Sequence, residues 1–236
     1  MKVVTLNIRH GDGTKAKQLL CVLTEFSADV VVLTEYRENS NSDIFKTSLF
    51  DLGYKWQASN SIDPKQNSVF LAARIPFVCN SQLGEPGVHQ HRLLLAKFSG
   101  FNVIGVYFPQ NEEKRPVFEF LIKNARGLLG EAGLLIGDFN TGKPYIDEVG
   151  KTFACADCFD DLETAGLVDA WRTRNPDLRE YSWFSAAKNG FRIDHVFCTE
   201  RLNLQVTRIA TEHGPREVIA TDHSAMVVEF LDSPAL

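Results

Sequence analysis

Long apolar runs are missing from this chain. After its first Lys, the opening MKVVTLNIRHGDG holds only a short apolar stretch before polar residues return. That is too short for a secretion-signal core, and no window approaches the roughly 20 apolar residues of a membrane span. The expectation is a cytoplasmic protein with no membrane partner. An excess of positive charge is missing too: 25 Lys and Arg stand against 30 Asp and Glu, a net charge of -5. No global basic field draws the chain to a polyanion, so such a substrate has to be met by a local patch or by bound cations. Low-complexity tracts, internal repeats and Pro/Gly/Ser linkers are absent, which makes residues 1–236 read as one domain. Cysteine is sparse and odd in number, with Cys21, Cys79, Cys155, Cys158 and Cys198 read as free thiols. Cys155 and Cys158 form a C-x-x-C, yet a structural zinc site wants four ligands and neither a second C-x-x-C nor a His pair lies nearby. They read as small residues on a helix-like segment, CADCFDDLETAGL.

What is present is a 44% hydrophobic, 23% charged composition that can bury a sizeable core. Strand-like runs occur at KVVTLNI, DVVVLTE, SVFLAAR, RLLLAKF, NVIGVYF, GLLIGDF, RIDHVFCT, LQVTRIA and SAMVVEF. Apolar spacings of three and four predict helices over Thr14 to Phe26, Glu112 to Leu129 and about Asp157 to Ala165. Many strands with helices between and outside them point to the α/β or α+β class, with two packed sheets flanked by helices. The order of strands does not follow from the sequence.

Polar residues recur where apolar strands stop. VVTLN ends at Asn7, DVVVLTE at Glu35, VIGVYFPQ near Tyr107, LLIGDFN at Asp138 and Asn140, and FRIDH at Asp194; ATDHSAMVVEF begins with Asp222 and His223. In open sheets, ligands gather at such strand ends. One Asp-x-Asn can be a turn bonding its own backbone, and one buried Glu can be an ion pair. Six on six segments are harder to explain as turns. Carboxylates and amides with few thiols or imidazoles form an oxygen-rich site that suits a hard cation such as Mg²⁺ or Mn²⁺, and phosphate esters are the usual clients of such sites.

The succession LN, LTE, YFPQ, GDFN, RIDHVF and TDH resembles, in order and from end to end, the endonuclease/exonuclease/phosphatase superfamily with the deoxyribonuclease I-like fold. YFPQNEEKR, GLVDAWRTRNPDLREYSW and GFRIDHVF look most like its exonuclease III and apurinic/apyrimidinic endonuclease branch. The resemblance implies a four-layered α/β sandwich, two mostly antiparallel β-sheets packed face to face with helices outside. It also implies a phosphodiesterase acting on nucleic acid, DNA foremost, with Mg²⁺ as cofactor and Mn²⁺ as substitute. A monomer with no obligate protein partner is the expectation.

By the same resemblance, Glu35 looks like the main metal ligand, with Asn7 and Asp222 close to the ion or its waters. Asp138 would orient and deprotonate the attacking water, with Asn140 beside it. Asp194 would fix the tautomer of His223, which faces a phosphoryl oxygen, and Tyr107 would reach the phosphate or the leaving-group side. Arg9, His10, Arg115 and Arg192 are candidate phosphate contacts. Trp183 and Phe191, with Ile193, match a pocket for an extrahelical sugar. The segment between Trp183 and Phe191 is shorter than in typical repair enzymes, Leu6 replaces the usual aromatic, and TDHSAM lacks the Pro that often follows the Asp-His pair. Two competing readings remain: a phosphoesterase for a small molecule or lipid headgroup, and a non-catalytic binding module that kept the fold.

Overall fold

The structure is a computed structural model and describes residues 1–11, 14–61, 63–80, 83 and 90–231. Among them, the strands are β1 (Lys2–His10), β2 (Val30–Tyr36), β3 (Trp56–Ser59), β4 (Ser68–Ala73), β5 (Phe77–Asn80), β6 (Leu93–Phe98) and β7 (Asn102–Tyr107), followed by β8 (Gly133–Asp138), β9 (Leu167–Asp169), β10 (Trp183–Phe184), β11 (Gly190–Phe191), β12 (Asp194–Thr199), β13 (Val206–Glu212) and β14 (Ala225–Phe230). The helices are α1 (Thr14–Phe26), α2 (Ser42–Asp51), α3 (Arg115–Leu129), α4 (Asp157–Thr164), α5 (Ala170–Arg174), α6 (Glu200–Asn203) and α7 (Gly214–Glu217). One six-stranded sheet runs β13-β14-β1-β2-β4-β3 and the other β5-β6-β7-β8-β12-β9, with β10 and β11 as a separate hairpin. All pairs are antiparallel except β1 with β2 and β7 with β8. Each of those parallel pairs is joined through a helix, α1 and α3 respectively, as a parallel connection requires.

The inner faces of the two sheets meet in one apolar core. Val3, Val30, Val32, Val69 and Leu71 pack from the first sheet, and Leu94, Val103, Leu134, Ile136 and Val196 from the second. Gly105 is needed there, because a Cβ on it would come within 2.7 Å of Val32 and 2.8 Å of Val69. The outer faces are covered separately. Leu19, Val22 and Leu23 of α1 and Phe45 and Leu49 of α2 close one side, and Val117, Phe118, Leu121, Ala125 and Leu129 of α3 close the other with Phe159 and Leu162 of α4. Spacings of three and four put each set on one helical face, and burial of each large side chain contributes about 1.5–3 kcal/mol. Pro116 opens α3 at a position that needs no donor, and Gly130, at φ 67, closes it with its N–H on Arg126 O. The resulting order is helix, sheet, sheet, helix: the four-layered sandwich that the sequence motifs imply.

The long elements follow the sequence closely. The expected helix over Glu112 to Leu129 is in fact a 3-10 turn, Asn111–Lys114, followed by α3. The expected strand LQVTRIA begins later, at Val206, and runs on to Glu212. Elements without a sequence signal are short or lightly anchored: α2 buries Ser42, Phe45 and Leu49, and β5 exposes most of its side chains. No helix among the described residues is long and apolar enough to cross a membrane.

Candidate active site at the ends of the two sheets

The parallel pairs β1/β2 and β7/β8 both deliver polar residues to one end of the sandwich. Pairing between β1 and β2 is regular up to Asn7 opposite Thr34 and resumes at His10 opposite Tyr36. Between those points lies a bulge on both strands, where Arg9, His10 and Glu35 take φ of 45, 77 and 55. The bulge re-aims Glu35, which would otherwise continue the strand alternation. Asn140 (φ 49) and Asn111 (φ 51) are strained in the same sense. Four of these, Arg9, Glu35, Asn111 and Asn140, line one cleft, and such strain concentrates at functional sites.

The cleft has a volume of about 320 Å³. Arg9, Glu35, Asp222 and His223 line one side; Gln110, Asn111, Lys114 and Asn140 another; Thr152, Phe153, Ala154, Trp183, Phe191 and Ile193 form an apolar-rich wall. Asp138 lies beneath, 1% exposed. Its strand can end there because Gly137, at φ 148, lets β8 approach β7 so closely that a Cβ would sit 2.0 Å from Val106 O.

Asp138 is held on both oxygens. Asn7 Nδ2 donates to Oδ2 at 2.9 Å, and the backbone N–H of Asn140 donates to Oδ1 at 2.8 Å. Burial, and then the neighbouring charge of Asp194, push its carboxyl up to about 7 despite those bonds and the nearby His223. His223 Nδ1 lies 2.8 Å from Asp194 Oδ2. Burial alone would lower the imidazole, but Asp194, with Asp138 and Asp222 behind it, raises it to about 9. These carboxylates favour the protonated ring. Tyr107 donates to Glu35 Oε1 over a long 3.4 Å and accepts from Asn67 at 3.3 Å; burial and then Glu35 push its phenol up to about 12. Trp183 Nε1 donates to Asp222 Oδ2 at 3.2 Å, and Arg9 Nε sits 3.7 Å from the other Asp222 oxygen.

The structure therefore brings Asn7, Glu35, Tyr107, Asp138, Asn140, Asp194, Asp222 and His223 to one place from five strands and two loops. The Asn7 amide N–H holds Asp138 and its carbonyl accepts from the Arg9 N–H, so its polar atoms serve neighbouring residues. Of the expected substrate contacts, Arg9, Trp183 and Phe191 line the cleft, whereas His10 sits behind Glu35 at 3.8 Å. Arg115 and Arg192 need correction. Arg115 heads α3 and pairs with Asp157 at the start of α4 and with Glu112, outside the cleft. Arg192 is fully buried between Asp147 and Asp169, bonding the first at 2.7 Å and the second at 2.6 Å, and cannot reach a phosphate.

Other cleft residues carry no readable signal in the sequence. Lys114 is a lysine between acidic and basic neighbours, yet the 3-10 turn folds it inward to donate to Asn140 O. Phe153 reaches the wall because buried Glu148 accepts the Thr152 and Phe153 N–H groups; its ring meets Phe191 edge-on at 5.7 Å, and Phe191 meets Trp183 at 5.7 Å. Cys155 and Cys158 are buried free thiols in the core under α3, where burial pushes Cys155 up to about 11.

The sequence signature of the Endonuclease/Exonuclease/phosphatase family matches residues 4–223. This chain belongs to that family. Its members are hydrolases of phosphate esters, and the chain is an enzyme of that class. Solved structures agree on the fold. A 3′ phosphatase from Neisseria bound to a product DNA hairpin shares 22% identity over 98% of this chain and 99% of its own, with a TM-score of 0.86. An AP endonuclease from Archaeoglobus fulgidus shares 20% identity over 99% and 100%, TM-score 0.87. A 3′-5′ exonuclease from Neisseria meningitidis shares 23% identity over 98% and 99%, TM-score 0.83.

Among the described residues, Asp138, Asp194 and His223 are the His, Cys, Asp and Glu side chains close enough to share one ion, with ligand atoms within 4.8 Å of one another. Their lone pairs are largely committed: both Asp138 oxygens accept hydrogen bonds, and Asp194 Oδ2 holds the imidazole. Asp194 Oδ1, however, is buried without a hydrogen-bond partner, so this cluster is deficient in positive charge. Glu35 and Asp222 face the cleft with only long contacts to cations, a donor set that fits a hard, oxygen-seeking ion.

Proposed function

We propose that this enzyme is a divalent-cation-dependent phosphodiesterase hydrolysing nucleic acid, DNA foremost, in the manner of exonuclease III and the AP endonucleases. The observation that supports this most is the buried Asp138, clamped by Asn7 and Asn140 beside the Asp194–His223 pair, under a cleft that also holds Glu35 and Asp222. Glu35 and Asp222 would hold Mg²⁺, or Mn²⁺ in its place, and the bound ion supplies neutralisation of phosphoryl charge and stabilisation of the leaving oxygen. Asp138, with a proton affinity near neutrality, takes a proton from the attacking water as the water oxygen bonds to phosphorus. His223, kept protonated and oriented by Asp194, donates from Nε2 to a non-bridging phosphoryl oxygen as negative charge builds there. Asn140 faces the same space, with its N–H fixing Asp138 and its Nδ2 bonded to Phe108 O. As the bond to the leaving oxygen breaks, the departing alkoxide takes a proton from solvent water and leaves as the alcohol, and Asp138 releases the proton it took to solvent. Arg9 and Lys114 offer positive charge to the flanking phosphate, and the Trp183, Phe191 and Phe153 wall offers stacking surface to an unpaired base or a sugar.

A specific observation favours the second reading, a small or non-duplex phosphoester. The loop between β10 and β11 is closed on itself, with Ser185 N–H on Asn189 O at 2.9 Å and Lys188 N–H on Ser185 O at 2.8 Å. None of residues 184–190 lines the cleft, where a grip on distorted duplex would have to reach. The deciding experiment is cleavage of labelled abasic duplex, nicked duplex, single-stranded DNA, RNA and bis-p-nitrophenyl phosphate, each with Mg²⁺, Mn²⁺ or EDTA. Metal-dependent incision of a DNA substrate is the expected result. Turnover of the generic diester alone moves the assignment to small phosphoesters, and activity unaffected by EDTA removes the cation.

A further inference from the structure

We infer that Ser182 is the residue that sets the Asp194–His223 pair in register, a positioning residue acting through its hydroxyl on the Asp194 backbone and through its carbonyl on Ser224, the residue after His223. The inference rests on the reading of Asp194 and His223 given above. The two residues arrive from distant segments, Asp194 as the first residue of β12 and His223 just before β14, and neither strand pairs with the other. Their 2.8 Å contact therefore needs something outside the sheets to hold it.

Ser182 is fully buried next to both. Its Oγ accepts the backbone N–H of Ile193 at 3.1 Å and of Asp194 itself at 3.2 Å. Its carbonyl accepts the N–H of Ser224, the residue after His223, at 2.8 Å. Its own N–H goes to Phe191 O at 3.0 Å, which ties the clamp to the β10/β11 hairpin. Trp183 continues the same strap, bridging to the backbone of His223 and donating its indole N–H to Asp222. One short stretch thus fixes the backbone on either side of the pair. Main-chain bonds can be made by any residue; the hydroxyl cannot, and without it two buried N–H groups lose an acceptor. Rotation of the Asp194 peptide would then move a carboxylate whose value depends on sub-ångström placement.

The test combines turnover with a signal that needs no substrate. In Ser182→Ala, kcat is expected to fall on the order of 10–100-fold with KM within about twofold, since contacts to bound substrate are unchanged. The low-field proton resonance of the His223 Nδ1–H bonded to Asp194 should move upfield or vanish. Ser182→Thr keeps the hydroxyl and should restore both readouts. Thr199→Ala is the control: its hydroxyl accepts from Gly133 N–H at 3.1 Å and donates to Glu131 O at 2.9 Å at the far end of the same strand. That variant should lower thermal stability and leave kcat and the resonance in place. Should Ser182→Ala fail to fold, Ser182→Cys, with its weak sulfur acceptor, carries the same comparison. An unchanged kcat and resonance in the alanine or cysteine variant overturns the inference, as does an equal loss of kcat in Thr199→Ala. If the wild-type enzyme cleaves no phosphoester, the functional reading falls, while the proton resonance still decides whether Ser182 sets the pair.

Discussion

Arg192 and Asp194 stand two residues apart, both buried, yet they belong to charge clusters of opposite character. Around Arg192 the charges are matched: Asp147 receives Arg192 and Arg172, Asp169 receives Arg192, and Asp169 also accepts the Trp171 and Arg172 N–H groups at the start of α5. Burial alone would raise both carboxyls, but Arg192 and the neighbouring groups outweigh it and hold them below their usual range. Around Asp194 the anions outnumber the cations. Asp138 is pushed up to about 7, and a buried oxygen of Asp194 has no hydrogen-bond partner. The charge-matched cluster fastens the loop after Asp138 to the start of β12, with the Arg192 backbone N–H also on Asp147 O at 2.8 Å. The unsaturated one gains from whatever brings positive charge or a proton to it, which is what a cation and a protonating reaction supply.

The largest effect that would sharpen this contrast is at the unsaturated cluster. Asp138→Asn keeps the volume and the bond to the Asn140 N–H but cannot take a proton, so kcat should fall about 10³-fold with urea unfolding little changed. Wild-type turnover should rise as Asp138 loses its proton near pH 7 and fall as His223 loses its own near pH 9, and the lower limb should disappear in the variant. Retained activity removes Asp138 as base.

At the saturated cluster the loss is in folding. Arg192→Gln leaves Asp147 and Asp169 short of charge, and unfolding free energy by urea titration should drop by about 3–5 kcal/mol. A stable variant that loses only activity would show that Arg192 belongs to the chemistry after all. A smaller effect is expected for Glu35→Gln, which should raise the Mg²⁺ needed for half-maximal rate by about tenfold or more. An unchanged metal titration takes Glu35 off the ion. The mildest test is acid stability. The folded pKa of Asp169 lies below its unfolded value of about 3.9, so the stability it contributes is present above that pH and is lost as pH falls through and below it. Stability should decline below about pH 5, and Asp169→Asn should flatten that decline while lowering stability at pH 7.

The contrast also marks how far the site was legible beforehand. Asp138, Asn140, Asp194 and His223 stood out because each ends or begins an apolar run, and strand geometry puts run-ends at one edge of a sandwich. Arg192 was a candidate phosphate contact because it lies beside one of those motifs, and it is a buried brace instead. Nothing local tells an arginine beside a motif that two aspartates, 45 and 23 positions away, will close on it. His195 shows the same limit from the other side: it follows Asp194 directly, but strand alternation turns it to the outer face, where it bonds Thr141 O among Phe139, Phe159 and Phe197.

By itself, the sequence determined the long strands and helices, the class of fold, and the inventory of oxygen ligands, because hydrophobic period and the residues that interrupt it are local properties. Tertiary structure alone decided which of those polar residues share a cleft, which are neutralised away from it, and that Lys114, Phe153 and Ser182 join them. Those outcomes depend on the bulge at Glu35, the close approach at Gly137 and the meeting of distant segments, as between Asn7 and Asp138, 131 residues apart, and between Asn7 and Thr221, 214 apart. Desolvation then sets the chemistry, since a carboxylate acquires a proton affinity near neutrality only when the folded chain has removed its water and placed a second carboxylate beside it.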